Sequence, residues 1–299
     1  MPIKNPRILI LGGGGTLGHK LWQKLPERFS DVHVSLRKPK SRYARCGLFD
    51  SANVIDGLDL REPEALEKKL VALKPGVIVN CAGVTLRCAE AKDARSNILV
   101  NALLPHRLAA WCEKNGARLI HLSTVCVYDG KKGGYAEADP SDALDLYGRT
   151  KSLGDVSSPS ALVLRSSFIG REIFGGSELL EWFLAQKGKK IKGFRKAIFT
   201  GLSTNRFAET IAALIADFPK LRGLYHVSSE AVSKYDLLLL MKEAYNVPVD
   251  IEPEDAFVCR RDLNGTRFEK ETGLKAPPWK AMMAEMAADK TPYDQWRTA

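Results

Sequence analysis

The feature that most constrains this chain is a run of four glycines between an apolar stretch and a helical repeat, RILILGGGGTLGHKLWQKL at residues 7–25. Gly12, Gly15 and Gly18 stand at three-residue spacing. In a strand that ends in such a turn and opens a helix, the first glycine makes the tight turn, the second admits a pyrophosphate, and the third lets helix and strand pack closely. His19 stands where a Walker A loop requires lysine. The segment therefore predicts dinucleotide binding and not a triphosphate loop of that kind.

The first half of the chain alternates short apolar runs with helical repeats, which is the pattern of a parallel sheet covered by helices on both faces. The predicted strands are residues 7–11, 32–36, 77–81, 118–123 and 161–165. Residues 16–25 carry leucines at four-residue spacing, and the segment EPEALEKKLVAL opens with Pro63, so both are predicted helices. We expect an α/β fold with a Rossmann-type doubly wound parallel sheet.

After about residue 168 the alternation gives way to longer helical segments with one strand-like stretch, GLYHVSS. The sequence therefore predicts a dinucleotide-binding Rossmann domain over residues 1–168 and a smaller, mainly helical C-terminal substrate-binding region over residues 169–299. Part of the segment from about 198 to 228 is expected to return to the sheet. No repeat or low-complexity linker separates the two regions, so we expect them to share an interface.

Composition narrows the classes of function. The 45 Lys and Arg residues exceed the 35 Asp and Glu residues, and the net charge of +10 suits an anionic ligand; the basic residues are spread along the chain, which argues against nucleic acid. Because the chain lacks a long apolar run, we expect neither a membrane span nor a signal peptide. We therefore expect a cytoplasmic location. The six cysteines are scattered without a C-x-x-C pair, which predicts reduced thiols and no metal site.

The end of the second predicted strand indicates which dinucleotide is bound. An acidic residue there binds the ribose of NAD, and a basic residue binds the additional phosphate of NADP. The strand DVHVSL runs into Arg37 and Lys38, with no acidic residue beside them in the sequence. We therefore predict NADP(H), against the alternative that these are solvated surface charges.

A second group of polar residues follows the fourth predicted strand. LIHLSTVCVYDG delivers Ser123 and Thr124 to the carboxyl edge of the sheet, and Tyr147 and Lys151 follow, four residues apart, in LYGRTK. On a helix this spacing places phenol and ammonium on one face. We expect the ammonium to lower the pKa of the phenol and the Thr124 hydroxyl to hold the substrate oxygen, which gives a proton donor beside a hydride source. A second Tyr-x-x-x-Lys copy, starting at Tyr128, lies in a Gly/Lys-rich loop where the spacing guarantees no shared face.

Taken in order along the chain, these motifs resemble those of the extended short-chain dehydrogenases/reductases, and most of all the sugar-nucleotide reductases of the dTDP-4-dehydrorhamnose reductase type. The resemblance rests on the glycine loop and on DGLDLREPEAL, VIVNCAG, VNALLPHRLA, STVCVYDG and YGRTK, within roughly the first 165 residues. Looser matches follow in IFTGLSTNRFAETIAAL and CRRDLNGTRFEKETG. The resemblance implies NADPH-dependent hydride transfer to a keto carbon of a nucleotide-linked deoxy sugar.

The resemblance also implies roles for individual residues. Thr124, Tyr147 and Lys151 match the catalytic trio, with Tyr147 as proton donor and Lys151 also holding the nicotinamide ribose. Asp59 and Leu60 would flank the adenine. The residues expected to bind the cofactor are Gly12, Gly15, Thr16, Leu17, Arg37, Lys38, Asp59, Leu60, Cys81, Ala82, Gly83, Asn101, Ser123, Tyr147 and Lys151.

One motif departs from the family pattern. Reductases of the rhamnose type carry an acidic and a phenolic residue where this chain has Val125 and Cys126, which disfavours the acid/base elimination of the 4,6-dehydratases. Cys126 coincides with an acid cysteine of the epimerase-reductases that make GDP-fucose, which also use a later histidine; here the first histidine after Arg165 is His226. Cys126 is therefore either an acid of an epimerase/reductase acting on another nucleotide sugar or a small buried residue.

The motifs leave the partner, the substrate and the assembly open. Relatives of this group include a regulatory subunit of methionine adenosyltransferase that binds NADP and acts through a partner protein, and the substrate region has too few motifs to exclude a non-nucleotide substrate. The basic segment KGKKIKGFRK at residues 187–196 is either a diphosphate-binding element or a solvated loop. Family relatives are often dimers, so a homodimer is one expected assembly.

Overall fold

A computed structural model describes residues 5–298, and its central feature is a seven-stranded parallel sheet. The strands are β1 (Ile8–Leu11), β2 (Val32–Ser35), β3 (Val54–Ile55), β4 (Val77–Asn80), β5 (Arg118–Thr124), β6 (Ala161–Ser166) and β10 (Gly223–His226). Their order across the sheet is β10-β6-β5-β4-β1-β2-β3. The five strands predicted for the first half of the chain are confirmed, and β3 is an additional short strand.

The sheet reverses its strand order at β1, which pairs with β2 on one side and with β4 on the other. Ile8 is in register with Val32 and with Val77. The glycine loop directly follows β1, so it lies at the topological switch point, where open α/β sheets bind their ligands.

Strand β1 shows why the sheet is covered on both faces. All four of its residues are fully buried. Ile8 and Ile10 belong to one hydrophobic cluster, and Leu9 and Leu11 belong to another on the opposite face. A parallel strand buried on both sides reads as a continuous apolar run, and this confirms the predicted doubly wound sheet.

The described residues form eleven α-helices, which cover the faces of the central sheet or pack on the smaller sheets and on one another. They are α1 (Gly18–Lys24), α2 (Pro63–Leu73), α3 (Ala94–Asn97), α4 (Leu104–Asn115), α5 (Leu146–Leu153), α6 (Leu179–Leu184), α7 (Thr204–Ala216), α8 (Lys234–Tyr245), α9 (Thr266–Thr272), α10 (Trp279–Ala287) and α11 (Tyr293–Thr298). A π-helical segment, Ile98–Leu103, joins α3 to α4. Among the described residues, no helix is long and apolar enough to cross a membrane.

The region after residue 168 contains more strand than its helical repeats suggest. It includes β7 (Phe168–Ile169), β8 (Lys190–Phe199), β9 (Leu202–Ser203), β11 (Val232–Ser233) and β12 (Asp250–Arg260). β8 lies between β11 and β12 in a small sheet, and β7 pairs with β9. β10, which also comes from this region, pairs with β6 and extends the central sheet.

The basic segment at residues 187–196 is not a loop over most of its length. Most of it forms β8, because its side chains alternate between a buried and an exposed face. Its exposed cations pair across the strands with β12: Lys192 with Glu254 at 3.0 Å and Arg195 with Asp255 at 3.2 Å. These cations therefore balance an acidic neighbour strand.

Residues near the C-terminus pack against α1, the helix that follows the glycine loop. Lys20 of α1 pairs with Asp289 at 2.6 Å in a largely buried ion pair. His19 is fully buried, with one ring nitrogen 2.8 Å from the Gly15 carbonyl oxygen and the other 2.8 Å from the Tyr293 hydroxyl. His19 therefore connects the C-terminal segment to the predicted cofactor loop.

Candidate active site

The three glycines of the loop, Gly12, Gly15 and Gly18, differ in what a Cβ at each position would meet. Gly12 has a φ of +85°, which favours glycine, and a Cβ there would lie 2.9 Å from the Ala82 backbone nitrogen. A Cβ on Gly18 would overlap the Gly12 carbonyl oxygen. A Cβ on Gly15 would have one neighbour within 4 Å among the described residues, the Gly12 oxygen at 3.4 Å. The first and third glycines are required by the packing of the protein itself, whereas the space beside Gly15 is open to a ligand.

A cavity of about 440 Å³ lies beside this loop. Nine of the residues predicted to bind the cofactor line it: Gly12, Gly15, Arg37, Lys38, Asp59, Leu60, Cys81, Ala82 and Gly83. Sequence reasoning missed the remaining lining residues, which are Gly14, Ser35, Tyr43, Leu58, Arg61, Val84, Cys88, Glu90, Ser96, Val100 and Phe174. Gly14, Leu58, Arg61 and Val100 stand inside the motifs on which the family resemblance rests, and the others, which lie outside those motifs, reach the cavity through chain folding.

Phe174 shows how the two regions of the chain meet at this cavity. It comes from the region after residue 168, yet its ring lies 5.6 Å from the ring of Tyr43. The Arg42 guanidinium stacks over Phe174 at 5.5 Å from the ring centroid. The cavity therefore has an aromatic wall that residues from both regions build.

Charged side chains surround the end of β2. Arg37 and Lys38 both line the cavity, as expected for a site that binds an additional phosphate. Asp59 accepts a hydrogen bond from Arg61, which holds the pKa of the Asp59 carboxyl below its ordinary value. Glu90 accepts a hydrogen bond from Arg37 at 2.9 Å, so an acidic side chain does reach this point. Glu90 belongs to a loop 53 positions further along the chain, so the sequence around Arg37 could not indicate this contact.

Six of the predicted cofactor residues do not line this cavity, and Tyr147 and Lys151 are two of them. The other four lie as follows. Leu17 is buried in the core, and Thr16 is half-buried just before α1. Asn101 is also buried, and its amide donates to the Val84 carbonyl and accepts from the Val84 N–H, both at 2.9 Å. It thereby fixes a wall of the cavity. Ser123 lies at the end of β5, and its hydroxyl is buried without a hydrogen-bond partner among the described residues.

The structure brings Thr124 and Tyr147 together. Thr124 ends β5, and its hydroxyl oxygen accepts from the Cys126 N–H at 3.1 Å, so the hydroxyl proton can go to another acceptor. Tyr147 lies in the first turn of α5, which Asp145 caps by accepting from the Gly148 N–H at 2.9 Å. A Cβ on Gly148 would overlap the Cys126 carbonyl oxygen, so glycine allows α5 to approach the end of β5.

The environment of the Tyr147 phenol differs from the expected one. Burial and the nearby Cys126 raise its pKa above the ordinary value, and the hydrogen bond with Thr124 opposes them. Lys151 is buried and donates from Nζ to the Leu122 carbonyl at 2.7 Å. The expectation that Lys151 lowers the phenol pKa is therefore wrong in this arrangement, because desolvation dominates.

Lys151 lies near Cys81, which lines the cavity. Burial lowers the pKa of Lys151 to about 8, while Asp155 and Cys81 act in the opposite direction. Burial raises the pKa of the Cys81 thiol to about 12, so Cys81 is a neutral thiol at pH 7. Because Cys81 lines the cavity, Lys151 lies next to the cavity wall while remaining an ammonium at neutral pH.

On the other side of Tyr147 lies a group of charged residues. The nearby carboxylate of Glu178 contributes to the raised pKa of Tyr147, and Glu178 forms an ion pair with Arg87. Burial and, to a smaller extent, the nearby Arg87 lower the pKa of Lys234 to about 8. Arg261 donates to the Cys126 sulfur at 3.6 Å. This side of the site can receive an anionic group.

His226 cannot serve as the second acid of an epimerase. It is fully buried, one ring nitrogen lies 3.0 Å from the Tyr135 carbonyl oxygen, and the other lies 3.3 Å from the Tyr128 hydroxyl. Burial lowers its pKa to about 4, so the ring is neutral at pH 7. Tyr128 itself accepts from Arg165 at 2.6 Å, which makes the tyrosine of the second Tyr-x-x-x-Lys copy part of a buried structural network.

The residues present fit a dinucleotide. The open space beside Gly15 suits a pyrophosphate at the start of a helix, and the cations after β2 suit a phosphate. The Ser123 hydroxyl, which has no partner among the described residues, can bond a ligand near Thr124. Among residues 5–298, no group of three or more His, Cys, Asp or Glu side chains could hold a metal ion.

Known proteins of similar sequence cover nearly the whole chain. The spore coat polysaccharide biosynthesis protein SpsK of Bacillus subtilis is 24% identical over 304 residues, covering 95% of this chain and 98% of that protein. The methionine adenosyltransferase 2 subunit beta of Xenopus tropicalis is 26% identical, covering 82% of this chain and 74% of that protein.

Solved structures agree with the fold. The dTDP-4-dehydrorhamnose reductase of Bacillus anthracis, solved in complex with NADP, superposes with a TM-score of 0.77 at 20% identity, covering 94% of this chain and 98% of that one. The model of one family, described as the RmlD substrate binding domain, matches residues 6–291. Its match along nearly the whole length, together with the extended short-chain dehydrogenase/reductase fold, means that this chain belongs to the RmlD substrate binding domain family.

Proposed function

We propose that this protein is an NADP(H)-dependent reductase of a nucleotide-linked keto-deoxy sugar. The observation that carries the proposal is the proximity of Thr124, which ends β5, to Tyr147, which lies in the first turn of α5, on the edge of the sheet where the glycine loop lines its cavity. Thr124, Tyr147 and Lys151 are the catalytic residues of the proposal. A protein that only binds a nucleotide has no use for such a pair.

The proposed chemistry follows from the state of each group. Tyr147 has a raised pKa, so its phenol keeps its proton at neutral pH and can donate it to a substrate oxygen that gains negative charge. Thr124 can donate to the same oxygen and orient the carbonyl. Lys151 supplies a buried ammonium beside the cavity, in the role of holding the nicotinamide ribose that the family resemblance implies for it. A bound nicotinamide dinucleotide supplies the hydride.

The choice of NADP(H) rests on Arg37 and Lys38 in the cavity lining. It is supported by the Bacillus anthracis reductase, which was solved with NADP, while the enzyme WbmG of Bordetella bronchiseptica was solved with NAD and UDP. The proposal includes a cytoplasmic location, the division of the chain near residue 168, and no nucleic-acid partner. It leaves a homodimer open.

The nucleotide-sugar substrate is supported by relatives named for such chemistry. A probable dTDP-4,6-dihydroxy-2-methyloxan-3-one 4-ketoreductase of Streptomyces antibioticus is 32% identical over 169 residues, covering 54% of this chain and 51% of that protein. The charged group around Arg87, Lys234 and Arg261 is the part of the site that suits a diphosphate.

The test follows NADPH absorbance with a panel of dTDP-, UDP- and GDP-linked 4-keto-6-deoxy sugars, with NADH in parallel. We expect oxidation with one member of the panel, faster with NADPH than with NADH. The Tyr147→Phe protein, which keeps the ring and loses the proton donor, should lose this oxidation and still bind NADPH. Oxidation at an equal rate by Tyr147→Phe would overturn the assigned role.

A second candidate is a regulatory subunit that binds NADP and acts through a partner protein. The likeness to methionine adenosyltransferase 2 subunit beta over 82% of this chain favours it. It predicts tight NADPH binding, no oxidation across the panel, and a stable protein partner whose recruitment is unaffected by Tyr147→Phe. These outcomes are the opposite of those expected for a reductase, so one set of experiments separates the two candidates.

A further inference from the structure

The cavity holds a carboxylate at the place where the sequence predicts basic residues alone. Arg37 follows β2, and its Nη1 donates to Glu90 Oε1 at 2.9 Å although the two residues are 53 positions apart. Glu90 belongs to the loop between β4 and α3, and both side chains line the cavity. Arg37, one of the two cations expected to bind the additional phosphate of NADP, is therefore already paired.

The surroundings keep Glu90 charged. A hydrogen bond from its own backbone N–H and the nearby Arg37 and Arg61 guanidinium groups hold the pKa of this carboxyl below its ordinary value. Arg61 is itself paired with Asp59. Two arginines and two carboxylates therefore lie at this end of the cavity, and a carboxylate adjoins each arginine.

We infer that Glu90 is a specificity-determining residue that limits the preference of this protein for NADPH over NADH. The inference rests on the proposed function, since it concerns the cofactor proposed there. A 2′-phosphate that approaches Arg37 must displace the Glu90 carboxylate and is repelled by it. A free ribose hydroxyl carries no charge and can donate a hydrogen bond to the same carboxylate, as acidic residues do in NAD sites. Glu90 thus weakens NADPH binding and is neutral or favourable for NADH.

The size of the effect follows from exposure. Arg37 is 49% exposed and Glu90 26% exposed, so water and salt screen the pair and the effect is moderate. We expect Glu90→Gln, which keeps the shape and removes the charge, to raise the ratio of Kd for NADH to Kd for NADPH about tenfold at low salt, or about 1.4 kcal/mol. The gain should shrink as salt is added.

The test is a fluorescence titration of the full chain with NADPH and with NADH, which needs no substrate. The matched control is Glu67→Gln, because Glu67 is an exposed residue of α2 and the change in net charge is the same. We expect the ratio to rise in Glu90→Gln and to stay at the wild-type value in Glu67→Gln. In the Arg37→Met background, Glu90→Gln should raise the ratio of Kd values much less than it does in the wild type, because the carboxylate acts on the phosphate partly through Arg37. This comparison completes a double-mutant cycle.

The outcomes separate the inference from the proposed function. An unchanged or lowered ratio in Glu90→Gln, with both nucleotides still bound, would overturn the inference and leave the reductase proposal in place. An equal rise in Glu67→Gln would also overturn it, since net charge would then explain the result. If the wild-type protein bound neither nucleotide, the proposed function would fall and the inference with it.

Discussion

Two glycine-to-alanine variants in one loop should separate what the fold requires from what the ligand requires. Gly15 has an ordinary negative φ, and an alanine Cβ there would meet the Gly12 oxygen at 3.4 Å, which is normal van der Waals contact. Gly18 is different, because its Cβ would overlap the Gly12 carbonyl oxygen and lie 3.0 Å from the Gly13 Cα. Both obstacles are backbone atoms, so no side chain can rotate to make room.

The magnitudes follow from this geometry. Overpacking against backbone costs about 1–3 kcal/mol. Alanine recovers about 1 kcal/mol through helix propensity, so Gly18→Ala should lower the free energy of unfolding by about 2 kcal/mol at most. Gly15→Ala should leave it unchanged or raise it by about 0.5 kcal/mol, because alanine restricts the unfolded chain. The same methyl group projects into the space proposed for the pyrophosphate, so Kd for NADPH should rise at least tenfold, about 1.4 kcal/mol.

Urea unfolding at pH 7 gives the stabilities, and fluorescence titration gives the NADPH affinities. Gly18→Ala should show the stability loss, and Gly15→Ala the binding loss at full stability. The reasoning would be refuted if Gly15→Ala were destabilised as much as Gly18→Ala, or if Gly15→Ala bound NADPH as tightly as the wild type does.

Three further predictions concern the trio and the buried contacts of α1. Tyr147→Phe should lower kcat/KM for the active sugar by about 10²–10⁴-fold with Kd for NADPH unchanged, and steady-state kinetics beside a titration checks both. Lys20→Met should cost about 3 kcal/mol of unfolding free energy because it leaves Asp289 without its cation, whereas Lys24→Met, in a more exposed pair with Glu27, should cost less than about 0.5 kcal/mol. Burial lowers the folded-state pKa of His19 to about 4 from 6.5, so the unfolded chain binds the proton first and stability falls as pH drops through that window. The loss from pH 7 to pH 5 should be about 2 kcal/mol smaller in His19→Gln, as measured by urea unfolding at both pH values, and an unchanged loss would contradict the assignment.

The sequence alone predicted the elements whose signals are local. The apolar runs of β1, β2, β4, β5 and β6 are visible because a strand buried on both faces needs an unbroken apolar segment. The glycine spacing predicted the turn, because the requirements at Gly12 and Gly18 come from atoms a few residues away or across one strand. Tyr147 and Lys151 were placed on one helix because their spacing is a helical repeat.

The tertiary structure decided the features that depend on neighbours distant in sequence. β8 and β12 were missed because their alternating charged residues become a stable sheet only when each strand supplies the counter-charges of the other. The phenol pKa of Tyr147 was predicted in the wrong direction, because desolvation depends on what packs around the ring and not on the residue four positions along. Glu90 reaches Arg37 across 53 positions. Burial and charge pairing act through space, so a spacing rule can identify the residues of this site, but the fold sets their protonation and their partners.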